Sequence, residues 1–236
     1  MSATAAFQEH VSMAEHGHHH GASKATGFHL KLREGTQSLH DQAESGNFQV
    51  RMVSGELARI EFSAFLGQMH SLHTVLDPAL QDAASRDPRV AQIFDESHLR
   101  LGRINQDLAD LQCDGPGEPL PSIAEFNQYV NRKLKESPSS LIGVLYVKEG
   151  ATNGNKFIAK KLRETLGLGE DKAMGYLDPH GKDQRRCWNA FKEQLNELEL
   201  DQAEQEECLD AAKETFKLMM TVSQEIDATK QSVTAG

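Results

Sequence analysis

The chain has 236 residues, 38% of them hydrophobic, with 35 acidic side chains against 25 basic ones and a formal net charge of −10. That balance argues against general nucleic-acid binding, which needs a basic stripe, and no apolar run approaches the roughly 20 residues that span a bilayer. The three cysteines, Cys113, Cys187 and Cys208, are odd in number and show no paired spacing, which points to a reduced, cytoplasmic setting rather than a disulfide framework.

Residues 1–27 are small, polar and histidine-rich, with Glu15-His16-Gly17-His18-His19-His20 at their centre and no basic-then-apolar order of a signal peptide. They are expected to form a flexible tail whose histidines either chelate a transition metal or have no role. No Pro/Gly/Ser-rich linker divides the body of the chain, so one domain is expected over residues 28–228, with a disordered tail over 229–236.

Leu32, Thr36, Leu39 and Ala43 recur at helical spacing, so the first element is a helix lying on a core. His40 sits beside this stripe with Glu44 one turn on and Arg33 two turns back, the last about 10 Å away at ~1.5 Å rise per residue. The imidazole is either a hydrogen-bonded core histidine or a ligand. In the second case Arg33 is placed to pair an acid at the far edge of a flat molecule. Glu56 to Leu80 reads as a long core helix containing His70 and His73, three apart, which read as structural histidines rather than a metal-binding pair. Pro78 and Ser85-Arg86-Asp87-Pro88 predict a turn region, and Arg89 to Leu111 further helix. Asp114-Gly115-Pro116-Gly117-Glu118-Pro119 is a loop, after which Ser122 and Glu125 form a predicted capping box.

Leu141-Ile142-Gly143-Val144-Leu145-Tyr146-Val147 opens another helix, whose spacing persists through Phe157, Ile158 and Leu162. Gly150 and Gly154 fall in its middle, each costing about 1 kcal/mol against alanine. The pair predicts either a bend or close helix crossing, or a place where something flat approaches the backbone. Lys148, Lys156, Lys160, Lys161 and Arg163 form a basic strip on its outer side, either a plain solvated face or a dock for an acidic partner. Gly167 to Gly181 is loop-like, with His180 exposed. Lys182 to Leu200 and Glu204 to Ile226 are the last helices. With no alternating segment and no internal repeat, the fold class is all-α.

Together these stretches resemble the haem oxygenase family over approximately Gly27 to Ala228. Leu32-Arg33-Glu34-Gly35-Thr36 leading into His40-Asp41-Gln42-Ala43-Glu44 is similar to the family's proximal helix, with its His-x-Gln-Ala-Glu. Tyr146-Val147, then Glu149-Gly150 and further small residues, resembles the kinked distal helix of the bacterial branch. Cys187-Trp188-Asn189-Ala190-Phe191-Lys192 is similar to a late helix that supplies a basic residue to the haem propionates. The resemblance implies a single-domain haem-oxygenase-like helical bundle in which His40 ligates iron. It also implies that Arg33, Glu44, Tyr146 and Lys192 contribute to haem binding, and that Gly150, Asn153, Gly154 and Asn155 line the oxygen side. The implied chemistry uses O2 and an external electron donor, such as a ferredoxin or a reductase, to open haem to biliverdin, carbon monoxide and ferrous iron. Two departures stand out. Ala151 occupies the place of a distal Asp found in many members, and Asn155 that of a second glycine. The latter favours, as the alternative, a haem-binding or haem-sensing protein without turnover.

Overall fold

A computed structural model describes residues 27–113, 115–169 and 172–234, with side chains as far as residue 229. The histidine-rich segment before Gly27 lies outside the described residues. The helices are α1 (Gly27–Glu44), α2 (Asn47–Ser54), α3 (Arg59–Arg86), α4 (Pro88–Ile93), α5 (Leu101–Asp110), α6 (Pro121–Glu136), α7 (Leu141–Thr165), α8 (Gln184–Glu197) and α9 (Gln202–Thr234). Short 3-10 turns at Glu96–His98, Pro138–Ser140 and Gly181–Asp183 join some of them, and no strand occurs among the described residues.

The helix α9 is the common wall. Gly35 of α1 meets it so closely that a Cβ there would lie 2.6 Å from Leu209 Cδ1, and a Cβ on Gly143 of α7 would lie 1.9 Å from the Cys208 carbonyl oxygen. Both helices therefore cross α9 at neighbouring residues, and only glycine allows the approach at Gly143, where the obstacle is backbone. Seated on this shared support, α1 and α7 pack far more on α9 than on each other. Across the gap between them, α8 touches both. Leu32, Leu145, Leu195 and Ala212 are completely buried at these contacts, each large apolar side chain contributing roughly 1.5–3 kcal/mol.

Several expectations are corrected. Pro78 lies inside α3, which runs unbroken to Arg86. Pro78 and Thr74, whose carbonyl it deprives of a donor, are both exposed, so the break in the ladder falls on the solvent side while Leu76, Leu80 and Ala83 stay buried on the other. The stretch Arg89 to Leu111 is two helices and a 3-10 turn. Asp87 caps α4 by accepting from the Arg89 N–H at 2.9 Å, with Pro88 at the first helical position. Ser122 does not cap α6, whose N-cap is Leu120; its hydroxyl donates to Glu225 at 2.5 Å instead. The last helix continues to Thr234, through most of the segment expected as a tail.

The segment after α7 has little regular structure, but it is pinned. Both oxygens of Asp107 accept backbone N–H groups, from Gly175 and Tyr176, each at 2.8 Å. Burial raises the Asp107 carboxyl above its usual range despite those bonds. The three cysteines are unpaired, and no helix among the described residues is long and apolar enough to cross a membrane.

Candidate functional site

On α1 the His40 side chain is 43% exposed. Its ring meets Phe216 of α9 edge-on, with centroids 5.9 Å apart. Nδ1 is shielded from solvent and has no hydrogen-bond partner. The Asp41 carboxylate lies 3.8 Å from Nδ1 and the Glu44 carboxylate 3.7 Å from Nε2, both too far for a hydrogen bond. His40 is thus no hydrogen-bonded core histidine; its imidazole is uncommitted, with acids near both nitrogens, as a ligand to a cation would be. One turn on, a cavity of about 300 Å³ opens between the end of α1, the start of α2 and α9, its walls including Ala43, Phe48, Gln49, Met219, Met220 and Ser223.

Across the gap, α7 runs continuously through both glycines. The two are not equivalent. A Cβ on Gly150 would touch the Trp188 ring of α8 at 3.5 Å, whereas nothing lies within 4 Å of one on Gly154. The backbone is therefore open at Gly154 and covered at Gly150. Asn153 does not project freely. Its Nδ2 donates to the Gly150 carbonyl at 2.8 Å, and its Oδ1 accepts from Gln184 Nε2 at 2.6 Å. Gln184, buried on α8, also reaches Thr152 Oγ1 at 3.2 Å. Asn155 is half-buried and Ala151 exposed, so Ala151 does not line this opening.

Arg33, Tyr146 and Lys192, expected to act together, converge on a residue that the pattern did not single out, His29. Its ring lies edge-on to Tyr146 and Trp188, at 6.0 and 5.8 Å between centroids, and it feels the charges of Lys192 and Arg33. Lys192 Nζ sits 5.7 Å from the Trp188 ring centroid. The structure separates two groups on α1: His40 and Glu44 toward its C-terminal end, and Arg33 with His29 toward its N-terminal end. Arg186 joins neither, being exposed and paired with Asp183 at 3.4 Å.

Behind α7 lies a buried charge centre that spacing does not reveal. Glu149, 4% exposed, accepts from Lys148 Nζ at 2.6 Å, Arg100 Nη2 at 2.8 Å and His180 Nε2 at 2.9 Å. Burial alone would raise this carboxyl, but Lys148, the His180 hydrogen bond and Arg100 outweigh it and hold Glu149 well below the usual range. The Lys148 side chain is 9% exposed, is pushed down to about 8 by desolvation, and is no part of an outer basic strip. His180 is likewise buried, not exposed. Asp77 ties Arg100 further by accepting the backbone N–H groups of Arg100 and Leu101, each at 2.8 Å, and its other oxygen meets His73 Nδ1 at 2.7 Å. The only local sign of this centre was the Lys148-Glu149 pair placed directly after the apolar run of residues 141–147. It anchors α7 immediately before Gly150.

Fold and site define an all-helical protein with an uncommitted imidazole on one helix, a glycine with open backbone on another, and a group of basic residues near His29. The chain belongs to the Heme oxygenase family, whose profile matches residues 26–225. It is 26% identical over 207 residues to Heme oxygenase 2 of Synechocystis, covering 84% of this chain and 82% of that one. To Heme oxygenase 1 of Pongo abelii it is 23% identical over 202 residues, covering 83% and 70%. The crystal structure of heme oxygenase-2 from Synechocystis in complex with heme and NO shares its fold, with a TM-score of 0.81 at 22% identity over 88% of each chain.

Proposed function

We propose that this protein is a haem oxygenase that acts in the cytoplasm, cleaving haem to biliverdin, carbon monoxide and ferrous iron with O2 and electrons from a ferredoxin or reductase. The observation that carries this reading is the disposition of α1 and α7. Seated side by side on α9, they present an unengaged His40 on one helix and backbone open at Gly154 on the other. The residues present fit haem: an imidazole free to ligate, an apolar cavity beside the same helix, and a corner where Arg33 and Lys192 suit two carboxylates. Haem would supply the iron on which O2 is reduced and the ring that is opened.

The chain's own part is positional. His40 holds the iron, with Glu44 near its ring to favour the ligating orientation. Arg33 and Lys192 bind the acidic edge, with Tyr146 packed beside them. Gly154 keeps the oxygen side free of side chains, and Gln184 holds the Asn153 amide back against α7. The test is hemin titration followed by ascorbate, or a ferredoxin system, in air. Loss of the Soret band with growth of a broad red absorption supports the proposal, and a spectrum unchanged through many equivalents of donor rejects turnover. His40→Ala should abolish the Soret signature.

Asn155 favours a second reading, a haem-binding or haem-sensing protein without turnover, since it stands half-buried one residue beyond the open glycine. Gain of activity in Asn155→Gly would support that reading.

A further inference from the structure

Among the described residues, Ile60 and Phe157 are the two large apolar side chains left exposed, at 77% and 41%. They stand on segments that abut. Arg59, at the start of α3, donates from Nη2 to the Leu166 carbonyl just beyond α7, at 3.2 Å. A Cβ on Gly55, shortly before α3, would lie 3.0 Å from Lys161 Cγ and 2.8 Å from Thr165 Cγ2. Along α7 itself, Ile158, Ala159 and Leu162 are buried, while Phe157, Lys160 and Lys161 are exposed. Lys156 holds its ammonium 5.1 Å from the Phe157 ring centroid.

The charge around these two side chains is opposite to that of the whole. From Gly150 to Arg163 there are four basic residues and no acid, in a chain with a net charge of −10. Lys156, Lys160 and Lys161 form no ion pair among the described residues, whereas Lys31, Lys133, Lys172, Lys213 and Lys217 each hold a carboxylate. The exposed acids on the same segments are Glu56 and Glu164; Glu61 is occupied by Arg51 at 2.7 Å. Unpaired ammonium groups around protruding apolar side chains suit a partner that is anionic outside and apolar within. The centres of protein interfaces favour arginine and are poor in lysine. Here lysine prevails and the most exposed apolar group is an isoleucine, which is the composition of a surface that lies on anionic lipid.

We propose that the start of α3 and the outer face of α7 form a docking surface for an anionic bilayer. Ile60 and Phe157 enter the boundary between headgroups and acyl chains, and Arg59, Lys156, Lys160 and Lys161 lie against the lipid phosphates. Screening over about 8 Å keeps repulsion from the acidic remainder of the protein small. Vesicle binding needs no haem, so the proposal stands apart from the haem reading.

The experiment is co-sedimentation of the full chain with mixed phosphatidylglycerol and phosphatidylcholine vesicles, and with pure phosphatidylcholine. The wild type pellets with the anionic vesicles only, and less so as salt rises. Lys160→Gln and Lys161→Gln each lower the partition about fivefold, the equivalent of about 1 kcal/mol per charge, and Ile60→Ser lowers it about tenfold or more. Ile60 is exposed, so that change leaves the thermal melt in place. Ile60→Trp keeps binding, and brominated lipid quenches its fluorescence beyond the wild-type level. The proposal is overturned by no pelleting with anionic vesicles at low salt, by equal pelleting with neutral ones, by Ile60→Ser pelleting like the wild type, or by an unquenched Ile60→Trp. A plant-type ferredoxin retained by the wild type but not by Lys160→Gln, without vesicle binding, assigns the surface to an acidic protein and overturns it. A concentration-dependent dimer lost in Ile60→Ser, again without vesicle binding, assigns it to a second copy and does the same. Vesicle binding without haem turnover rejects the haem reading alone, and turnover without vesicle binding rejects this proposal alone.

Discussion

Gln184 Nε2 lies 2.6 Å from Asn153 Oδ1, so a buried amide of α8 fixes the orientation of an amide on α7, which in turn bonds the carbonyl of Gly150. The glycine segment is thereby tied to the neighbouring helix by side-chain hydrogen bonds as well as by the Trp188 ring over Gly150.

Removing that tie should be measurable. Gln184→Leu leaves Thr152 Oγ1 and Asn153 Oδ1 without their donor in a buried place, at a cost of about 1–3 kcal/mol in denaturant unfolding. Adding Asn153→Ala to it should cost less than the two single losses summed, because both delete the same bond. Strict additivity in this double-mutant cycle would show that Gln184 and Asn153 are not coupled.

Two glycines of α7 predict opposite outcomes for one change. Gly143→Ala drives a methyl into the Cys208 carbonyl and should destabilise by about 1–3 kcal/mol or more, because backbone must move. Gly154→Ala meets nothing within 4 Å and should stabilise by up to about 1 kcal/mol through helix propensity, while weakening hemin binding where the ligand needs the bare backbone. Thermal melts and Soret titrations on the same samples read both effects. Unimpaired hemin affinity in Gly154→Ala would place the ligand elsewhere.

Acid should weaken the fold in two stages. His98 accepts the Asp95 backbone N–H on Nδ1 at 3.1 Å, which requires the neutral ring, and burial holds it down to about 4, as it does His29. From about pH 6.5 to about pH 4 the unfolded chain therefore binds protons at these two sites that the folded chain refuses, and stability falls. Below the ordinary carboxylate range Glu149 adds a second loss, since its folded pKa is depressed and its stabilisation disappears as pH drops through it. Urea midpoints across this range check it. His98→Gln, which keeps an acceptor for Asp95, should flatten the first stage, and an identical profile in that variant would exclude His98 as a cause.

The periodicity of leucines and the local chemistry of turns were enough to place α1 and α7 and to single out His40, Arg33, Gly150 and Gly154, because helix spacing is a property of neighbouring residues; Lys192 came only from the family resemblance. They were not enough to see Pro78 carried inside α3, where burial on one face overrides a lost hydrogen bond on the other. Nor could they pair Glu149 with Arg100 and His180, or Gln184 with Asn153. Those partners sit on different elements at separations without period, and only the packing of the helices brings them within reach. Gly150 and Gly154 make the same point. Alike in the sequence, one is roofed by Trp188 and one is bare, since what approaches a backbone from another element is decided in three dimensions and not along the chain.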